Sequence, residues 1–175
     1  FSHPTWGGYI GAFQDNGGYE KGWVLGNYNQ QFSFALSSEG TDDGDGNLTY
    51  VTSDENFEYD RWYHLAASYD GETIRLYVDG ILMATNNTQN GDILYDPQSF
   101  FNIGTYHDDN ENFILNGQLD ETRLWNKALT QEEIQNWLHK EINSEHSHYE
   151  NLISSWNYNI GGNNLVYDIK GQHNA

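Results

Sequence analysis

Cysteine is absent from the 175 residues, so no disulfide and no thiolate metal site can form. Basic side chains are scarce: 7 Lys and Arg stand against 26 Asp and Glu, for a formal net charge of −19. Nucleic acid and anionic membrane surfaces both need a basic footprint, which excludes them as natural partners. Long apolar runs are missing as well, and no segment approaches the ~20 apolar residues that span a bilayer as a helix. The opening residues carry no cationic, apolar leader, so any such segment is expected to lie outside this sequence.

What is present points to strands. The length suits one domain with a sizeable core. Glycine at 18 residues and aromatics at 15 % suit a β-sandwich rich in turns. The surplus of acid has two readings, a heavily solvated surface or carboxylates gathered around divalent cations.

Residues 62–80, WYHLAASYDGETIRLYVDG, carry the clearest pattern. Leu65, Ala67 and Tyr69 share one face, as do Ile74, Leu76 and Val78. Alternation of period two around Asp70-Gly71, closed by Asp79-Gly80, predicts a tight β-hairpin. Shorter apolar pieces at 9–13, 22–26 and 31–36 predict successive strands, and 48–52 another. Pro97 argues against a central strand across 86–97. One helix is predicted after Thr130, which with Glu133 forms an S/T-x-x-E capping box. Ile134, Trp137, Leu138 and Ile142 follow at helical spacing, with His139 and Lys140 toward the end.

The hairpin resembles the "W-x-H-(V/L)-A-x-(T/S)-Y-D-G … (L/I)-Y-V-D-G" core of laminin G-like domains, within the concanavalin A-like lectin and pentraxin superfamily. FNIG at 101–104 and NGQLDETRLWNKALTQEEI at 116–134 resemble the family's second block. The resemblance implies an all-β fold, a two-sheet antiparallel jelly-roll sandwich with one short helix on the C-terminal side. It assigns residues 1–151 to this jelly roll, with the family's opening strands expected before the first residue. Residues 152–171, LISSWNYNIGGNNLVYDIKG, resemble the family's opening motif. Residues 152–175 are therefore read as a closing strand of the same sandwich, as the start of a following repeat, or as a permuted segment in the place of the missing first strand.

Calcium is the cofactor the resemblance implies, because pentraxins bind paired ions in the loop after the shared glycine. Here that loop holds Thr105, Tyr106, His107, Asp108, Asp109, Asn110 and Glu111, and only Asp108 reproduces a ligand of the motif. Hard cations take 6–8 oxygens, so Asp108, Asp109 and Glu111 are metal candidates, with a solvated acidic turn as the other reading. Asp43, Asp45 and Asn47 reproduce three ligand positions of an EF-hand-like loop, but Leu48 stands where that loop needs glycine.

Sugars stack their C–H faces on aromatic rings and bond their hydroxyls to Asp, Asn and Gln. Tyr106, His107, Asn110, Trp6 and Tyr28 are the ligand-binding candidates. Trp62 and Trp125, inside the core blocks, are expected to be buried; Trp6, Trp23, Tyr28, Tyr95 and Tyr106 are expected to be exposed. Laminarinase-type relatives place their carboxylates as E-x-D-x-E on one strand, and no such triplet occurs here. Asp120 and Glu121 are instead expected on opposite faces of a strand, Glu121 paired with Arg123 or capping a neighbouring loop. The stretch Glu145–His148 reads as a solvated linker. The chain is thus expected to be a non-enzymatic, secreted or cell-surface recognition module. It would bind a glycan or an extracellular protein, without membrane insertion and beside neighbouring domains of a larger chain. A structural or adhesion repeat without small ligand is the alternative.

Overall fold

The computed structural model describes residues 5–15, 20–39, 48–159, 161–162 and 165–171. Asp43, Asp45 and Asn47 lie outside them. The chain divides into two compact units, Phe1–Gly117 and Gln118–Ala175.

The first unit runs through β1 (Trp6–Asp15), β2 (Glu20–Tyr28), β3 (Gln31–Leu36), β4 (Thr49–Thr52), β5 (Leu65–Tyr69), β6 (Ile74–Val78) and β7 (Ile81–Asn86). It continues with β8 (Phe100–Ile103), β9 (Thr105–His107) and β10 (Asn112–Ile114). Five strands form one antiparallel sheet in the order β4-β3-β2-β1-β8, and β5-β6-β7 form a second. The core lies between them. Ile10, Leu25, Phe32, Phe34, Leu36 and Val51 face Ile74 and Leu76, with Phe57 packed among them. The expected jelly-roll sandwich of antiparallel sheets is what these residues build.

Local chemistry explains the hairpin. Leu65 pairs with Val78, Ala67 with Leu76 and Tyr69 with Ile74. The Asp70 carboxylate accepts the Glu72 and Thr73 N–H groups and an Arg75 bond at 2.6 Å, fastening the first turn. At the second turn Asp79 sits at φ 50° and Gly80 at φ 74°. Asp79 accepts the His64 N–H at 2.9 Å and the Arg61 guanidinium at 3.0 Å. Trp62 departs from expectation: it precedes the first paired residue of β5, outside the alternation, and is 62 % exposed.

The second unit contains β11 (Thr122–Trp125), α1 (Gln131–Trp137), β12 (Leu152–Trp156), β13 (Gly161–Gly162) and β14 (Leu165–Val166). β11 pairs antiparallel with β12, and β13 with β14. Glu121 lies before the strand at φ 51° rather than within it, and its carboxylate meets Arg123 at 2.8 Å as expected. The capping box is complete: Thr130 Oγ1 accepts the Glu133 N–H, while Glu133 accepts the Thr130 N–H at 2.7 Å. Those bonds satisfy donors that the first turn leaves open. The helix is shorter than the apolar spacing predicts, so Ile142 is buried beyond it and no basic residue occupies its last turn. Thr130→Ala should lower stability by about 1 kcal/mol, read as a shifted urea midpoint with unchanged slope.

Candidate functional site

Within the five-stranded sheet, alternation sends Leu25, Phe32, Phe34 and Val51 inward. The opposite face therefore receives Trp6, Gly8, Gly11 and Phe13 from β1, and Val24, Gly26 and Tyr28 from β2. Ser33 and Ala35 of β3 and Tyr50 of β4 complete it, as the strand registers require. Small residues occupy the middle of this face and aromatic ones its margins.

Trp6 bridges the strands. Its ring centroid lies 4.2 Å from Tyr28 and 5.4 Å from Tyr50, with interplanar angles of 34° and 50°. Tyr28 pairs with Trp6 across β1 and β2, whereas Tyr50 lies three strands away. The indole reaches Tyr50 over Gly26 and Ser33, which with Val24 floor the shallow cleft beneath it. Glycine matters here physically. A Cβ on Gly26 would fall on the Gly7 carbonyl oxygen, and one on Gly8 would sit 2.7 Å from the Tyr106 nitrogen. Trp6, Tyr28 and Tyr50 each keep a little over a third of their surface open, so the three rings form a platform.

The other wall comes from the hairpin β9–β10, whose backbone rests against Gly8. Tyr106 is packed 5.2 Å from Phe13 and 5.6 Å from Phe113, which leaves it 9 % exposed instead of open to solvent. His107 lines the adjoining cleft, and its Nδ1 is buried with no hydrogen-bond partner among the described residues. Asn110 is exposed on the turn and takes part through its backbone N–H.

Carboxylates gather at one end of this face. Asp15 and Glu20 are cross-strand partners, and Glu20 accepts the Leu48 N–H at 3.0 Å. Burial, then the Asp15 charge, raises the Glu20 pKa. Burial with Glu20 and Asp15 raises the Tyr50 phenol, and burial with Asp108, Asp15 and Glu111 raises that of Tyr106. Both phenols therefore stay neutral hydrogen-bonding groups in an acidic surround.

The segment after Gly104 is a hairpin with a four-residue turn, not an open loop. Asp108 is 4 % exposed. Its Oδ1 accepts the Asn110 and Glu111 N–H groups at 3.0 and 2.7 Å, and its Oδ2 accepts the Tyr106 hydroxyl at 3.3 Å. Asp109 and Glu111 point outward on the same turn. Among the described residues no three His, Cys, Asp or Glu side chains come together as a metal-holding group. The turn's main buried carboxylate is engaged by the turn's own N–H groups.

The structure thus unites Trp6 and Tyr28, sets Tyr106 and His107 in the neighbouring cleft, and adds Tyr50. Tyr50 escaped the sequence reading because its partner Trp6 is remote in the chain. Its position opposite Val51 in a short alternating strand was the available signal.

A laminin G family model, described as the concanavalin A-like lectin/glucanases superfamily, matches residues 2–135. Pappalysin-1 of mouse (Mus musculus) and of human (Homo sapiens) are each 28 % identical over 123 residues, 66 % of this chain. The match spans 7 % of the length of either pappalysin-1. Among solved structures, a proposed carbohydrate-binding protein from Bacteroides ovatus superposes with a TM-score of 0.67 at 17 % identity. That alignment covers 97 % of this chain and 51 % of the other, a likeness of fold.

Proposed function

This chain belongs to the concanavalin A-like lectin and glucanase superfamily, and from that footing we propose that it is a non-catalytic, extracellular carbohydrate-binding module. The observation that carries the reading is the Trp6–Tyr28–Tyr50 platform over a floor of glycine and serine. A pyranose lays its C–H face on Trp6 while its hydroxyls bond to the phenols and the acidic rim. The lack of an E-x-D-x-E triplet supports a binding role, and Glu121 is engaged by Arg123. The match to a small part of pappalysin-1 supports one domain working within a larger chain. A net charge of −19 suits a module exposed to solvent and disfavours anionic glycans.

Screening on a glycan array, followed by titration calorimetry with the best neutral oligosaccharide, tests this. Trp6→Ala should weaken binding about tenfold or more, roughly 1.4 kcal/mol, with the unfolding midpoint nearly unchanged. A chelator should leave affinity as it was, because among the described residues the Asp108 carboxylate is engaged by its own turn. Unchanged affinity in Trp6→Ala, or no glycan bound at all, would overturn the reading. Steady release of reducing ends from a soluble β-glucan would overturn the non-catalytic part.

A further inference from the structure

We propose that the second unit carries a pH-sensitive clasp, in which neutral His146 joins β11 to the end of α1 and its protonation releases them. The Glu145–His148 stretch is not the solvated linker its composition suggests. His146 is 3 % exposed. Its ring lies between Trp125 of β11, 4.7 Å away, and Trp137 at the end of α1, 5.1 Å away. Its Nδ1 accepts the His148 backbone N–H at 3.0 Å. That bond requires Nδ1 to be the bare nitrogen. A protonated imidazole carries hydrogen on both nitrogens, so a proton there sets donor against donor.

The charged neighbours make matters worse for a cation. From β11 comes Arg123, whose guanidinium donates to the Trp137 carbonyl at 3.3 Å, the Lys140 carbonyl at 2.5 Å and Glu121 at 2.8 Å. Just past α1, the Lys140 ammonium lies 5.3 Å from the Trp137 ring centre. From the same segment as His146 comes His148, its Nε2 standing 2.6 Å from Glu133. Glu133, on α1, is the acid that faces the site. It is already taken up by the Thr130 N–H at 2.7 Å, the Thr130 hydroxyl at 2.9 Å and His148. A charged His146 would thus be buried between two aromatic neighbours, with Glu133, the carboxylate that faces it among the described residues, already bonded to Thr130 and His148.

Burial, then His148 and Arg123, holds His146 below its ordinary pKa, with Glu133 opposing. The folded value lies below the unfolded one, so the unfolded chain takes the proton first. The clasp is complete above the ordinary histidine value of about 6.5 and weakens as pH falls below it. Thr130-bound Glu133 is shifted down as well, so its contribution survives until more acid pH.

Hydrogen exchange on the full chain, corrected for intrinsic rate, tests the clasp between pH 7.5 and 5. Wild-type exchange across 131–151 should quicken about tenfold, while 65–86 stays level. His146→Phe keeps a ring between the indoles and removes the titration, so its profile should be flat. His139→Gln, at an exposed histidine, should behave as wild type. Should His146→Phe fail to fold, an imidazole titration of the wild type decides. His146 should then titrate below the ordinary histidine value of about 6.5, with the Trp125 and Trp137 indole signals moving at the same midpoint. The same pH dependence in His146→Phe, or His146 titrating at the ordinary histidine value of about 6.5 while both indoles stay still, would overturn the proposal.

Discussion

Trp156→Ala is expected to destabilise the second unit by about 3–5 kcal/mol, the range for removing a buried large aromatic. Trp156 is 2 % exposed and ends β12, a strand whose residues Leu152, Ser154 and Ser155 are also buried. It pairs with Thr122, the first residue of β11. The neighbouring backbone is pinned by hydrogen bonds. The Asp168 carboxylate accepts the Ser155 N–H at 2.8 Å and the Lys170 N–H at 3.0 Å, and the Ile169 N–H donates to the Ser155 carbonyl at 2.8 Å. Burial opposes the Asp168 charge, yet those bonds outweigh it and bring its pKa down to about 2. Denaturant unfolding followed by tryptophan fluorescence measures the loss. Ile153→Ala, at a 38 % exposed position on the same strand, should cost under about 1 kcal/mol. Equal losses for the two variants would show that 152–156 is not packed as described.

In the first unit, Leu76→Ala should cost about 3–5 kcal/mol, toward the upper part of the range for such truncations. Leu76 is fully buried at the centre of β6. Its cross-strand partners are Ala67 on β5 and Ala84 on β7. Two alanines have no side chain long enough to swing into the space, so the cavity stays open and the transfer and cavity losses add. Leu76→Met, which keeps the volume, should cost less than about 1.5 kcal/mol. Urea unfolding at pH 7 separates the two. A loss below about 2 kcal/mol for Leu76→Ala would mean that the sheets close over the site.

Much of the scaffold was legible because its causes are local. The 65–78 hairpin follows from alternation about Asp70-Gly71, and the Thr130–Glu133 box from groups three residues apart. The Glu121–Arg123 pair joins side chains two residues apart. The site was less legible. Tyr106 lies in a polar stretch and reads as a loop residue, yet the fold of β9–β10 onto Gly8 buries it. Trp62 sits inside a conspicuous motif and reads as core, yet it falls before the pleat begins. His146, flanked by Glu145, Ser147 and His148, reads as solvated, and only the arrival of Trp125 and Trp137 encloses it.

The sequence by itself determined the all-β character, the turns, the helix cap and the net negative charge. Each of these depends on residues within a few positions of one another or on composition. The tertiary structure alone decided that Trp6, Tyr28 and Tyr50 share one platform and that Asp108 serves its own turn. The physical reason is that strand order and the folding-over of a hairpin are settled by burial summed across the whole sandwich, and no local pattern encodes which distant strands become neighbours.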